Sequence, residues 1–141
     1  MNRMHWRVVG TVVHGDGRGR ELGYPTANLD THDLLPPPGI YAAWVRTAPE
    51  SQADAAERAP WQEATVSVGD NPTFGDVDTE RAECYLHDFS GDLYGAQLEV
   101  VFVAYIREMA AFSHLDDLIR NAAGDVARSR ELLAHYPQAA M

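Results

Sequence analysis

Apolar and polar positions alternate with a period of two through most of this chain, then switch to helical spacing near its C-terminus. Trp6 to Val13 is apolar and β-branched and predicts a strand. Thr26 to Leu29 predicts a short extended piece, and Ile40 to Thr47, with Tyr41 and Trp44 as β-formers, a further strand. From Gln62 to Gly69 the residues Ala64, Val66 and Val68 alternate with Glu63, Thr65 and Ser67. From Arg81 to Asp88, Ala82, Cys84 and Leu86 alternate with Arg81, Glu83, Tyr85 and His87. Gln97 to Arg107 predicts a long strand with Leu98, Val100, Phe102, Ala104 and Ile106 on one face. Leu115, Leu118, Ile119, Ala122, Val126 and Leu133 then follow helical spacing, predicting a helix over about residues 113–135. Ser113 with Asp116 three residues on resembles a capping box at its start. Gly124 inside it costs about 1 kcal/mol relative to Ala, which suits a kink. Tyr136 to Met141 reads as a frayed end.

The connections are marked as clearly as the strands. Four glycines fall within nine positions from Gly15 to Gly23, too many for regular structure. Asp30 to Gly39, with Pro36, Pro37 and Pro38, is turn-rich; Ala48 to Pro60, Asp70 to Glu80 and Phe89 to Gly95 read as loops or turns. Six short strands punctuated by Gly and Pro, followed by one helix, suggest a small barrel or sandwich. There is no βαβ alternation and no internal repeat, so a doubly wound fold is not expected.

Length and charge narrow the function. The chain has 141 residues, one domain's worth, and is 45% hydrophobic. Its formal net charge is −10, and all 11 basic residues are arginine. Non-specific nucleic-acid binding needs the opposite sign of charge, so no nucleic-acid partner is expected. A Walker A loop needs its lysine, and no lysine exists in the chain. Phosphate, if bound, would be held by backbone N–H groups, arginine or a metal ion. A single cysteine, Cys84, forms no internal disulfide and suits a reducing compartment. The segment MNRMHWRVVG lacks a signal-peptide core, and no run approaches the ~20 apolar residues of a membrane helix. The expectation is a soluble cytoplasmic protein with no membrane partner.

Three places carry candidate chemistry. The glycine loop is not a dinucleotide fingerprint, because Arg20 holds the sixth place and Pro25, not a helix, follows. It is either a plain hairpin turn or a nest of backbone N–H groups for phosphate, with Gly15 at its start and Arg18 and Arg20 as added donors. Thr26 and Asn28 point the same way if extended. They offer a hydroxyl and a carbonyl oxygen, either for a turn or for Mg²⁺, which prefers oxygen and leans on substrate phosphates. Glu83 lies on a polar strand face, either solvated or placed to accept a proton from a substrate hydroxyl. The six histidines have no metal-ligand spacing, so no zinc site is expected. Asp76, Asp78 and Glu80 read as a solvated acidic turn.

Several motifs in order resemble one family. Val12 to Leu29, containing H-G-D-G-R-G-R-E-L-G-Y-P-T-A-N-L, resembles the first signature of the riboflavin kinase family. Leu35-Pro36 with Pro38-Gly39-Ile40-Tyr41 follows, then Val68-Gly69 with Asn71-Pro72-Thr73-Phe74. Glu83, Leu86, Asp88, Phe89 and Asp92-Leu93-Tyr94-Gly95 continue the resemblance. Arg107-Glu108, Phe112, Leu115 and Leu118 complete it, so that it covers about Val8 to Leu133. It implies a single domain over 1–141: a six-stranded antiparallel Greek-key β-barrel, mainly β, with a C-terminal α-helix. It also implies transfer of the ATP γ-phosphoryl group to the ribityl 5′-hydroxyl of riboflavin, giving FMN and ADP, with Mg²⁺ as cofactor.

By the same resemblance Gly15, Arg20, Thr26 and Asn28 would hold nucleotide phosphates, with Thr26 and Asn28 on the metal. Glu83 would be the catalytic base, and Leu86, Asp88 and Tyr94 would line the adenine side. Arg107, Met109 and Phe112 would border the flavin. The sequence departs from the family's usual pattern after Arg107, reading Glu108-Met109-Ala110-Ala111 where a lysine or second acidic residue is common, and in Phe112-Ser113-His114-Leu115. The alternative implied is a non-catalytic flavin- or nucleotide-binding module that reports flavin status. In bacteria this module is often the C-terminal half of a bifunctional enzyme whose N-terminal half adenylylates FMN; that half is absent from this sequence, so the resemblance implies either a domain partnered by an FMN adenylyltransferase module in the native protein or a free-standing kinase.

Overall fold

The structure, a computed structural model, describes residues 3–13, 26–48, 60–70, 80–89, 91, 93–109 and 115–136. Six strands, β1 (Arg3–Val13), β2 (Ala27–Asp30), β3 (Gly39–Thr47), β4 (Gln62–Asp70), β5 (Glu80–Leu86) and β6 (Gln97–Arg107), precede one helix, α1 (Leu115–His135). The strands close into an antiparallel barrel in the order β1-β2-β5-β4-β3-β6. A sandwich would leave edges; closure pairs every strand on both sides.

The alternation read from the sequence sorts residues to the two sides of the barrel wall. Val8, Val12, Leu29, Ala43, Val45, Ala64, Val66, Val68, Ala82, Cys84, Leu98, Val100 and Phe102 fill the interior. Burial pushes the Cys84 thiol up to about 12, with the nearby charge of Glu83 adding to the effect, so this thiol is inert. A second apolar cluster lies outside the wall, where Ala42, Trp44, Val101, Val103 and Ala104 meet Leu132 and Leu133 of α1. The helix thus covers the outer face of β3 and β6. Trp44 Nε1 donates to the Tyr136 carbonyl at 2.9 Å and ties down the helix end.

Some elements depart from the sequence expectation. Strand β1 begins at Arg3 rather than Trp6, since Met4 also packs on the core; a register shift between Arg3 and Trp6 obscures the pattern. Along β6, Ala104 and Ile106 leave the face of Leu98, Val100 and Phe102 and turn to the helix. The pairing with β3 shows the cause: Ala43 faces Phe102 but Ala42 faces Ala104, and Tyr41 faces Tyr105 but Ile40 faces Arg107. Each skipped residue is a bulge that re-aims the side chains after it. Strand β5 stops at Leu86 because His87 and Asp88 form a turn, Asp88 in the left-handed region at φ 54°.

Buried polar groups bind α1 to the strands near this turn. Thr65 Oγ1 lies 2.7 Å from His87 Nε2 and 2.8 Å from Ser129 Oγ, and His87 Nδ1 faces Glu63 Oε1 at 3.4 Å. A neutral ring satisfies this chain: Nδ1–H points to Glu63, and Nε2 accepts from Thr65, whose oxygen accepts from Ser129. Arg130 bridges Glu63 and Asp88 at 3.2 and 3.0 Å.

Burial lowers the His87 pKa from its ordinary 6.5, assisted by the Arg130 charge and opposed by Glu63 and Asp88. The folded ring therefore resists protonation that the unfolded chain accepts below about pH 6.5. The stabilisation from this network should be full above that pH and decline below it. Thermal unfolding of wild type and His87→Gln from about pH 7.5 down to about pH 5 is expected to show their stability gap narrowing. A gap independent of pH would contradict the neutral assignment.

Candidate active site

One row of residues crosses the outer wall. Val13 pairs with Asn28, Asn28 with Glu83, Glu83 with Ser67, and Ser67 with Ile40. Directly opposed residues share a face and hold their Cβ atoms about 4.5–5.5 Å apart. Their chain neighbours Val12, Leu29, Ala82, Cys84, Val66 and Val68 point inward, so Asn28, Glu83 and Ser67 face outward. Helix α1 packs on β3, β4 and β6 and has no comparable contact with β2 or β5, so it does not roof the Asn28–Glu83 part of this face.

Asn28 is unusual within this row. It is 6% exposed, and its Oδ1 is buried without a hydrogen-bond partner among the described residues. An unmade buried acceptor costs about 1–3 kcal/mol, which is recovered when a ligand supplies a donor or a cation. Thr26, half-buried, stands two residues before it, where an extended chain puts alternate side chains on one face. Glu83 is half-buried directly across from it. The carbonyl of Asn28 and the hydroxyl of Thr26 are hard oxygen donors of the kind Mg²⁺ takes, with the Glu83 carboxylate across from Asn28. Among the described residues no cluster of three or more His, Cys, Asp or Glu could hold a metal alone.

The two ends of the barrel differ. At one end β1 stops and β2 and β6 begin, and the turn before β6 lies against β1. There Gly95 N–H donates to the Val12 carbonyl at 3.0 Å, and Val12 N–H donates to the Ala96 carbonyl at 2.9 Å. Tyr94 is exposed in that turn, with Gly95 at φ 83° beside it. At the opposite end β4 and β6 stop and β3 begins. Met109, 47% exposed, places its Cγ 3.6 Å from where a Cβ on Gly69 would stand. Gly69 follows Ser67 by two residues on β4, so Met109 borders the same outer face.

The remaining residues singled out in the sequence fall as follows. Leu86 is buried with the interior cluster at the end of β5. Asp88 is exposed and ion-paired with Arg130. Arg107 makes a two-pronged ion pair with Asp125 of α1, its Nε 2.8 Å from Oδ1 and its Nη2 2.7 Å from Oδ2. Gly15, Arg18, Arg20 and Phe112 lie outside the described residues. Sequence reading missed Asp125 and the Thr65–His87–Ser129 chain. The one available signal was Asp125 and Ser129 at i, i+4 spacing beside the apolar stripe of the helix.

The fold and this face define a small closed barrel with an oxygen-rich outer site of the kind phosphoryl transfer uses. The riboflavin kinase family model (Flavokinase) matches residues 2–133, and the chain belongs to that family. A bifunctional riboflavin kinase/FMN phosphatase of Arabidopsis thaliana is 38% identical over 120 residues, 81% of this chain and 29% of that protein. A bifunctional riboflavin kinase/FMN adenylyltransferase of Listeria monocytogenes is 33% identical over 127 residues, 89% of this chain and 37% of that protein. The chain therefore spans about a third of the length of the curated relatives it matches.

Among solved structures, riboflavin kinase from Trypanosoma brucei superposes with a TM-score of 0.68 at 25% identity. That match covers 95% of this chain and 82% of the other. A structure titled as a macrolide-efflux protein from Streptococcus pneumoniae superposes with a TM-score of 0.73 at 35% identity, covering 88% of this chain and 38% of that one. No described helix here is long and apolar enough to cross a membrane.

Proposed function

We propose that this protein transfers the γ-phosphoryl group of ATP to the ribityl 5′-hydroxyl of riboflavin, giving FMN and ADP. The observation that carries the reading is the buried Asn28 oxygen, without a partner among the described residues and directly across from Glu83, within a chain of the riboflavin kinase family.

Glu83 accepts the 5′-hydroxyl proton as that oxygen attacks the γ-phosphorus and the bond to the β-phosphate oxygen breaks. Asn28 and Thr26 hold Mg²⁺ together with the nucleotide phosphates, and Gly15 and Arg20 add donors to those phosphates. The ion, when bound, neutralises charge on the phosphate oxygens. Tyr94, Asp88 and Leu86 form the adenine side, at the end of the barrel where β5 stops. Arg107 and Met109, at the end where β6 stops, form the flavin side together with Phe112, which lies outside the described residues. Between those ends lies the Asn28–Glu83–Ser67 row, so the donor and acceptor oxygens meet beside the carboxylate. Relatives that carry an FMN adenylyltransferase support a reading in which FMN made here passes to such a module.

Riboflavin incubated with the protein, ATP and Mg²⁺ is expected to yield FMN on chromatographic separation, and chelation of the cation should abolish the product. Riboflavin binding without any ATP-dependent product would overturn the reading in favour of a flavin-binding module.

A further inference from the structure

Arg107 ends β6, and the bulge at Ile106 aims it outward at α1. Its guanidinium is committed to protein. The two prongs on Asp125 are joined by a third donor, Nη1, 3.0 Å from the Glu108 carbonyl. Asp125 is 9% exposed, unlike the surface pair Arg128–Glu131 on the same helix. Exposed single contacts contribute little, whereas a half-buried, two-pronged pair adds geometric specificity as well as energy. The geometry thus fixes the direction in which the chain leaves β6. Met109 comes next, and its side chain lies over Gly69, two residues along β4 from the cross-strand neighbour of Glu83.

We propose that Asp125, acting through Arg107, is a positioning residue for riboflavin: the pair holds Glu108 and Met109 so that Met109 walls the flavin end of the outer face. Arg107 then serves the flavin side through Asp125 and the Glu108 carbonyl. This inference rests on the proposed kinase reading. It gives a role to a helix carboxylate that lies outside the site row.

The test compares Asp125→Asn, Arg107→Lys and the double variant with wild type, and uses Arg128→Ala as a control on the same helix. Both single changes keep volume and remove the fork. The KM for riboflavin is expected to rise about tenfold, with kcat within about threefold and the KM for ATP unchanged. The double variant should be no worse than either single one, because both remove the same contact. A merely structural role would lower the melting temperature and leave the KM for riboflavin of the folded enzyme unchanged. That outcome, an equal rise in both KM values, or additive losses would overturn the proposal. If Asp125→Asn does not fold, Arg107→Lys decides alone by the same criteria. If wild type forms no FMN, the kinase reading falls; fluorescence titration of riboflavin into wild type and variants still decides this inference, about tenfold weaker binding supporting it and equal binding overturning it.

Discussion

Replacing Glu83 by Gln is expected to lower kcat for FMN formation by about 10²–10⁴-fold, the range of a positioned proton acceptor. The change keeps the side chain's size and its place between Asn28 and Ser67, and removes only the basic oxygen. Riboflavin and nucleotide binding should stay within about threefold of wild type, because the loss is confined to the transition state. Steady-state kinetics on folded Glu83→Gln check this. An unchanged kcat would assign proton removal elsewhere; an equal loss of binding would make Glu83 a ligand-holding residue instead.

Gly10→Ala is expected to cost about 2–4 kcal/mol, near the upper end for overpacking. Gly10 is buried in the middle of β1, opposite Leu98. A Cβ there would lie 2.6 Å from the Asp30 carbonyl oxygen, 2.8 Å from Leu29 Cγ and 3.0 Å from Thr31 Cβ. The nearest of these is backbone and cannot rotate away. Relief requires β1 and β2 to separate, and that pairing carries Val13 beside Asn28. The melting temperature should therefore fall by about 10 °C, and the folded fraction should show a reduced kcat/KM as well. A melting temperature within about two degrees of wild type would contradict this close packing.

Much of the barrel was legible because its strands are half-buried. The period-two alternation of Ala64, Val66, Val68 and of Ala82, Cys84, Leu86 survives intact in β4 and β5. It failed where a bulge intervened. Nothing in Phe102-Val103-Ala104 marks the residue that β3 skips, because Val103 and Ala104 are both apolar and fit either side of the wall. The helix stripe was incomplete for a different reason: its buried face includes Asp125 and Ser129, whose partners Arg107 and Thr65 come from distant strands. Asn28 and Glu83 were each legible as a residue type on a polar face. Their adjacency was not, since it depends on the register of β2 against β5. That the Asn28 oxygen has no partner among the described residues is likewise a property of packing and has no trace in composition.

The fate of the phosphoryl group is followed most directly with ATP labelled at the γ-phosphate, incubated with the protein, riboflavin and Mg²⁺, and then separation of the flavins. Label is expected in FMN, from which a phosphomonoesterase releases it again, and the rate of labelling should fall sharply in Glu83→Gln. Label found only in inorganic phosphate, with riboflavin unchanged and the protein folded, would contradict the proposed transfer.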